Sequence, residues 1–297
     1  MRITQSMMTS SMMSGLQGNY RRLDKYQEQM MTQRRINRPS DDPVGVASAL
    51  QYRGQITATT QFEQNADDAD AWLKYGDTVM TEVTQIIQKL SELAVQGGTD
   101  TVPKDARENI AAEVDQLYQQ LVSLGNSQFK GKYMFNGERT DEKPFPEDPT
   151  TTNYSLDNGE VRYQVGAGIT VSVNTPGEQV FGAFGDSSGI FAVVNNLKAA
   201  LLADNTAGIQ SAIPALQKNL ETTITSQAEM GGKQNRLEFT LSRLSDLNIN
   251  YMGLQSKVED ADISKVIIDL KTSESVYQAS LDTMARIIRP SLLDFLR

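Results

Sequence analysis

Near both ends of this chain, apolar residues recur at intervals of three and four. Met13, Leu16, Tyr20, Leu23 and Met30 form one such stripe, with Gln27 its one polar member. Ile263, Ile267, Leu270, Tyr277, Leu281, Met284 and Ile288 form another. This spacing sets side chains along one seam of a helix, a geometry that asks for a second helix alongside. No single element elsewhere in the sequence is an obvious cover. The two ends are therefore expected to pack on helices, each other's or a neighbour's, which points to assembly before catalysis.

Between them the pattern changes twice. Pro39 interrupts the first helix, and in RINRPSDDPVGVASAL, residues 35 to 50, Ser40 or Asp42 can cap a second one with Pro43 in its first turn. That helix should pass Val46, Leu50, Ile56 and Trp72, show Val79, Val83, Ile86, Leu90 and Leu93 at four-three intervals, and stop at Gly97-Gly98. After Pro103, Ile110, Val114, Leu117, Leu121 and Leu124 mark a third helix, and Phe129 to Gly137 closes this half. Residues 138 to 153 read as loop. A turn at Asn158-Gly159 then introduces period two, in Val161, Tyr163 and Val165 and again in Ile169, Val171 and Val173, followed by a Pro176-Gly177 turn and Val180-Phe181. The result should be a β-rich domain of about fifty residues. Helical spacing returns at Ile190 to Leu202, restarts near Ala207 with Pro214 in its opening part, and holds from Leu216 to Val258. One helix over 215–258 would be about 65 Å long.

The predicted fold is mainly α with a small β domain: an elongated rod of long antiparallel helices from both ends of the chain, with a β-rich insertion in the middle. Residues 1–40 and 259–297 would form a terminal assembly domain, 41–132 and 188–258 a helical rod, and 133–187 a β-rich outer domain.

Composition removes several functions. The 297 residues include no cysteine and no histidine, so disulfides, a thiol nucleophile, the usual zinc sites and Ser-His-Asp chemistry are excluded. A net charge of −9 argues against nucleic acid. The charge is uneven, because residues 1 to 40 hold seven cations and two acids, a local +5 that leaves −14 on the rest. Residues 259 to 297 hold five cations and seven acids, so a basic first helix and a mildly acidic last one are compatible neighbours. The arginines of the first helix are too scattered for a membrane-surface helix, the first residues lack the apolar run of a Sec signal, and no apolar stretch nears twenty residues.

The candidate chemical sites have plainer readings. Asp67, Asp68 and Asp70, or Glu259, Asp260 and Asp262, invite a cation but lack the spacing and central glycine of a calcium loop. Asp41 and Asp42 suit helix capping better than acid-base work. Gly166 and Gly168 lie between strands, and Gly232-Lys233 lacks the rest of a phosphate loop. The N-terminal methionines suit an adaptable surface between subunits. No cofactor, metal or catalytic residue is expected.

Taken in order, these residues resemble the bacterial flagellin family. The similar stretches are RINRPSDDPVGVASAL, GGKQNRLE at 231 to 238, and VEDADISKVIIDLK at 258 to 271 with the helix it opens. Pro43, GKYMFNGERTDEKPF at 131 to 145, SSGIFAVVNNLKAALLADN before the long helix and the ending SLLDFLR are closest to the hook-associated branch of that family. The resemblance implies a structural, non-enzymatic subunit joining hook to filament, extracellular and exported through the flagellar type III apparatus without a cleaved signal peptide. Its implied partners are further copies of itself in a ring, a neighbouring hook-associated protein on the hook side, flagellin on the filament side and an export chaperone, with no nucleic acid or membrane. The assembly interface would be Met13, Leu16, Tyr20, Leu23, Met30, Ile267, Leu270, Tyr277, Leu281, Met284 and Ile288. It further implies terminal helices poorly ordered in the free monomer. The alternatives are a flagellin of the filament itself and, in another class, a cytoplasmic coiled-coil adaptor.

Overall fold

A computed structural model describes residues 5–100, 102–150 and 153–288; Arg2, Arg289, Asp294, Arg297 and the closing SLLDFLR lie outside the described residues. In chain order the elements are α1 (Gln5–Thr32), α2 (Pro43–Gly97), α3 (Lys104–Gly125), β1 (Gln128–Phe129), β2 (Lys132–Tyr133), β3 (Arg162–Gly166), β4 (Ile169–Ser172), α4 (Gly177–Phe181), α5 (Ile190–Leu202), α6 (Thr206–Glu259) and α7 (Ile263–Ile288). The chain is mainly helical with a small antiparallel β region in its middle.

Local chemistry accounts for the helix starts. Of the two candidate caps the structure uses Asp42, whose Oδ1 accepts the Gly45 N–H over 2.9 Å, with Pro43 opening α2. Asn205 does the same for α6, accepting the Gly208 N–H over 3.1 Å. α6 then runs unbroken to Glu259 with Pro214 inside its third turn, its start at Thr206 agreeing with the helical restart predicted near Ala207.

The β region holds less sheet than the alternation predicts. β1 and β2 form a two-residue hairpin around Lys130-Gly131, and β3 pairs antiparallel with β4 around Ala167-Gly168. Val161 lies just before β3: its carbonyl accepts the Val173 N–H over 3.0 Å, while its own N–H goes to Asn174 Oδ1 over 3.0 Å and Asn174 Nδ2 donates to the Gly159 carbonyl over 2.6 Å. Val180 and Phe181, predicted to extend the strands, lie in the short helix α4. The reason is packing: Phe181 stacks on Phe191 at 5.6 Å and meets Phe135 and Phe145 edge-on at 5.2 Å.

Two compact units result. Thr59–Asp246 makes one; the residues up to Ala58 make the other with those from Leu247 onward. The core of the first joins the predicted seam Val79, Val83, Ile86, Leu90 and Leu93 of α2 to Val114 and Leu121 of α3, Leu197 and Leu201 of α5, and Leu216 and Leu237 of α6. At one corner a buried Arg107 donates from Nε to the Gly97 carbonyl over 3.1 Å and from a terminal nitrogen to that of Thr99 over 3.0 Å, and it pairs with Asp204.

Candidate assembly interface

In the second unit α1 and α7 run antiparallel. Asn19 Nδ2 donates to Ser280 Oγ over 2.7 Å, and the rings of Tyr20 and Tyr277 stand 6.0 Å apart. Met12, Leu16, Val276 and Met284 help line a cavity of about 350 Å³ between the helices.

The two predicted stripes divide here into two faces. Leu270 and Met284 are buried against α1, and Leu16, Leu23 and Tyr277 are half-buried. Met13, Met30, Ile267 and Leu281 stay 41–44% exposed on the outside of the pair, Tyr20 is 56% exposed at its edge although its ring meets Tyr277, and Ile263 is 37% exposed. Ile288 lies in α7, but its side chain is not among those described. The inner face is instead completed by Asn19, Gln29 and Ser280, polar residues that an apolar pattern passes over. Gln29 earns its buried place by donating to the Arg35 carbonyl over 2.9 Å.

A second feature, which sequence reasoning missed, ties this pair to the helices beside it. Gln33, left-handed at φ 59°, turns the chain out of α1, and its carbonyl accepts the Ala261 N–H over 3.0 Å. The Arg35 N–H reaches the Glu259 carbonyl over 2.7 Å, and its guanidinium reaches the Val258 carbonyl over 2.9 Å. Buried Glu259 accepts from Arg34 over 3.1 Å, from Arg53 of α2, and from Gln255 over 2.9 Å. The cation-site reading of Glu259 therefore gives way to a carboxylate already held by two guanidinium groups. No short-range motif signals this, since Arg53 and Glu259 are 206 positions apart.

Asp41 and Asp42 face this joint. Burial pushes the Asp41 carboxyl up, but Lys25 Nζ at 3.0 Å and the backbone N–H groups of Arg38 and Asn37 outweigh it and hold its pKa below the ordinary value. The Gly45 N–H, with Arg35 at 3.3 Å, lowers that of Asp42. In the other unit Asp68 pairs with Lys130 at 2.8 Å and Asp70 with Lys74 at 2.6 Å. Among the described residues no helix is long and apolar enough to cross a membrane.

The family model for the bacterial flagellin N-terminal helical region matches residues 3–140, and that for the C-terminal helical region matches 213–296. The flagellar hook-associated protein 3 of Escherichia coli (strain K12) is 27% identical over 302 residues, covering 94% of this chain and 95% of that protein. The flagellin of Bacillus subtilis (strain 168) is 25% identical over 300 residues, covering 96% of each. The fold is shared with the crystal structure of flagellar hook-associated protein-3 from Legionella pneumophila, at a TM-score of 0.62 and 15% identity over 70% of this chain and 98% of that one.

Proposed function

Because this chain belongs to the bacterial flagellin family, we propose that it is a structural subunit of the flagellum that joins hook to filament, its two termini packing by helices in a tubular array. One observation carries this reading. Helices from opposite ends of the sequence form a single pair, and that pair leaves Met13, Tyr20, Met30, Ile267 and Leu281 41–56% exposed among the described residues, open to cover by another molecule. A free surface of this kind is a site for association.

On this reading the chain acts without catalysis. It is exported through the flagellar type III apparatus after release from a chaperone, and contacts its own copies, a hook-side neighbour and filament-side flagellin. Cells lacking it are expected to build hooks, shed flagellin into the medium and lose swimming. Firmly attached filaments of normal length in such cells would overturn the junction role. The likeness to the Bacillus subtilis flagellin favours a second reading, the bulk filament protein. Copy number per flagellum, by quantitative mass spectrometry, separates a minor junction component from the filament itself.

A further inference from the structure

The side of α6 between Glu221 and Arg243 is exposed among the described residues, with Ile169 of β4 bordering it beside Gly232 and Arg236, and its chemistry has a two-fold pattern. Positions 221, 225, 228, 232, 236, 239 and 243 recur every three or four residues, so they share one side of the helix, and all are exposed. The other side carries buried Thr223, Ser226, Met230 and Leu237. At one end of the exposed strip stand Glu221 and Glu229; at the other, Arg236 and Arg243 flank Phe239, which is 77% exposed. None of these four charged groups has an ion-pair partner among the described residues. The unit Thr59–Asp246 holds 26 acids against 14 cations, a net −12, so two arginines left unpaired in it are conspicuous.

We propose that this face binds the same face of a second copy, the two α6 helices lying antiparallel and crossing at Gly232. Glu221 and Arg243 are each eleven residues from Gly232, and Glu229 and Arg236 are three and four residues from it. Antiparallel pairing thus sets each glutamate against an arginine of the other copy. Phe239, seven residues from the centre, meets Ile224, eight residues from it on the other side and 48% exposed. At the crossing nothing lies within 4 Å of the position a Gly232 Cβ would take, so the two backbones can approach closely. Parallel, in-register pairing sets like charge on like and is disfavoured. An unrelated partner must carry this polarity independently, whereas a second copy has it by symmetry, as an isologous contact requires. The pairing does not depend on the flagellar reading. Exposed ion pairs are individually weak, so the dimer is salt-sensitive.

The chain lacks cysteine, which makes cross-linking clean. Full-length Glu221→Cys and Arg243→Cys proteins, mixed under mild oxidation, should give a disulfide-linked dimer that neither gives alone, because two copies of position 221 would sit about 33 Å apart. Sedimentation of the unmodified protein should show a concentration-dependent dimer. An Arg236→Glu, Arg243→Glu variant should raise its dissociation constant at least ~10-fold, and mixing with a Glu221→Arg, Glu229→Arg variant should restore association. All four positions are exposed, and far-ultraviolet circular dichroism checks that the variants fold. Cross-linking of Glu221→Cys with itself, or a protein monomeric at every concentration reached, would overturn the proposal.

Discussion

Asn19 and Ser280 share a 2.7 Å hydrogen bond across 261 positions of sequence, at the middle of the α1–α7 pair. It is a polar contact in a seam with few fully buried side chains: Val266, Leu270 and Met284 on α7, and Gln29 on α1. Local opening is easiest where little apolar surface is buried. Hydrogen exchange on the free protein should therefore find α1 and α7 amides at least ~10-fold less protected than those of residues 79–94 in α2. Equal protection would show that the pair is as firm as the core.

Leu281 and Met284 lie one turn apart on α7 with opposite surroundings, one 42% exposed and the other 7%. Leu281→Glu should leave the thermal transition of the free protein within about 0.5 kcal/mol, yet prevent entry into the flagellum. Met284→Glu should loosen the pair itself, seen as faster exchange in α1. Incorporation of Leu281→Glu at the normal level would remove Leu281 from the interface.

Replacing Glu259 with Gln leaves Arg34 and Arg53 without their shared anion. Both guanidinium groups are about half exposed, so the cost should fall below that of a fully buried pair, at about 1–2 kcal/mol in urea unfolding. Arg53→Gln should cost less, since Arg34 and Gln255 remain. A double-mutant cycle on Arg53 and Glu259 measures the coupling, and a value near zero would make the contact incidental.

Acid should undo the same joint. Asp41 and Asp42 have pKa values below the ordinary 3.8, so their contribution is fully present above that value and is lost as pH falls through their lowered native pKa values. The direction is fixed: the folded joint should lose stability below about pH 4, and Asp41→Asn should flatten that loss. Fluorescence-monitored unfolding between pH 2 and pH 5 is the measurement. Tyr154 titrates far outside this window, burial pushing its hydroxyl up to about 12.

Two glycines should respond oppositely to alanine. Gly231 lies within α6 with nothing near its missing side chain, so Gly231→Ala should stabilise by about 0.5–1 kcal/mol. At Gly177 an added Cβ would run into the Phe135 carbonyl oxygen, a backbone atom that cannot swing aside. Gly177→Ala should destabilise by about 1–3 kcal/mol, read from denaturant midpoints.

The helices were legible because burial writes itself as period. Val79 through Leu93 and Ile190 through Leu202 were placed from spacing alone, and Asp42 could be named as a cap because its chemistry is local. Phe181 misled the reading, since an aromatic cluster assembled from four distant segments decided its conformation over the local alternation. The terminal seam was legible only in part. Spacing located Leu270 and Met284 on one buried side but could not tell them from Ile267 and Leu281, which the inner face leaves out. Glu259, Arg34 and Arg53 left no mark at all, because a long-range ion pair has no period.

Arg107 has a consequence for how the protein meets a changing environment. It holds the end of α2 by two backbone carbonyls, which do not titrate, besides its pair with Asp204. The aspartate joint near α1 has no such immunity. As acid protonates those aspartates, the fittings beside the terminal helices should therefore slacken first while this corner keeps its carbonyl contacts, so that any loosening begins beside the proposed assembly surface.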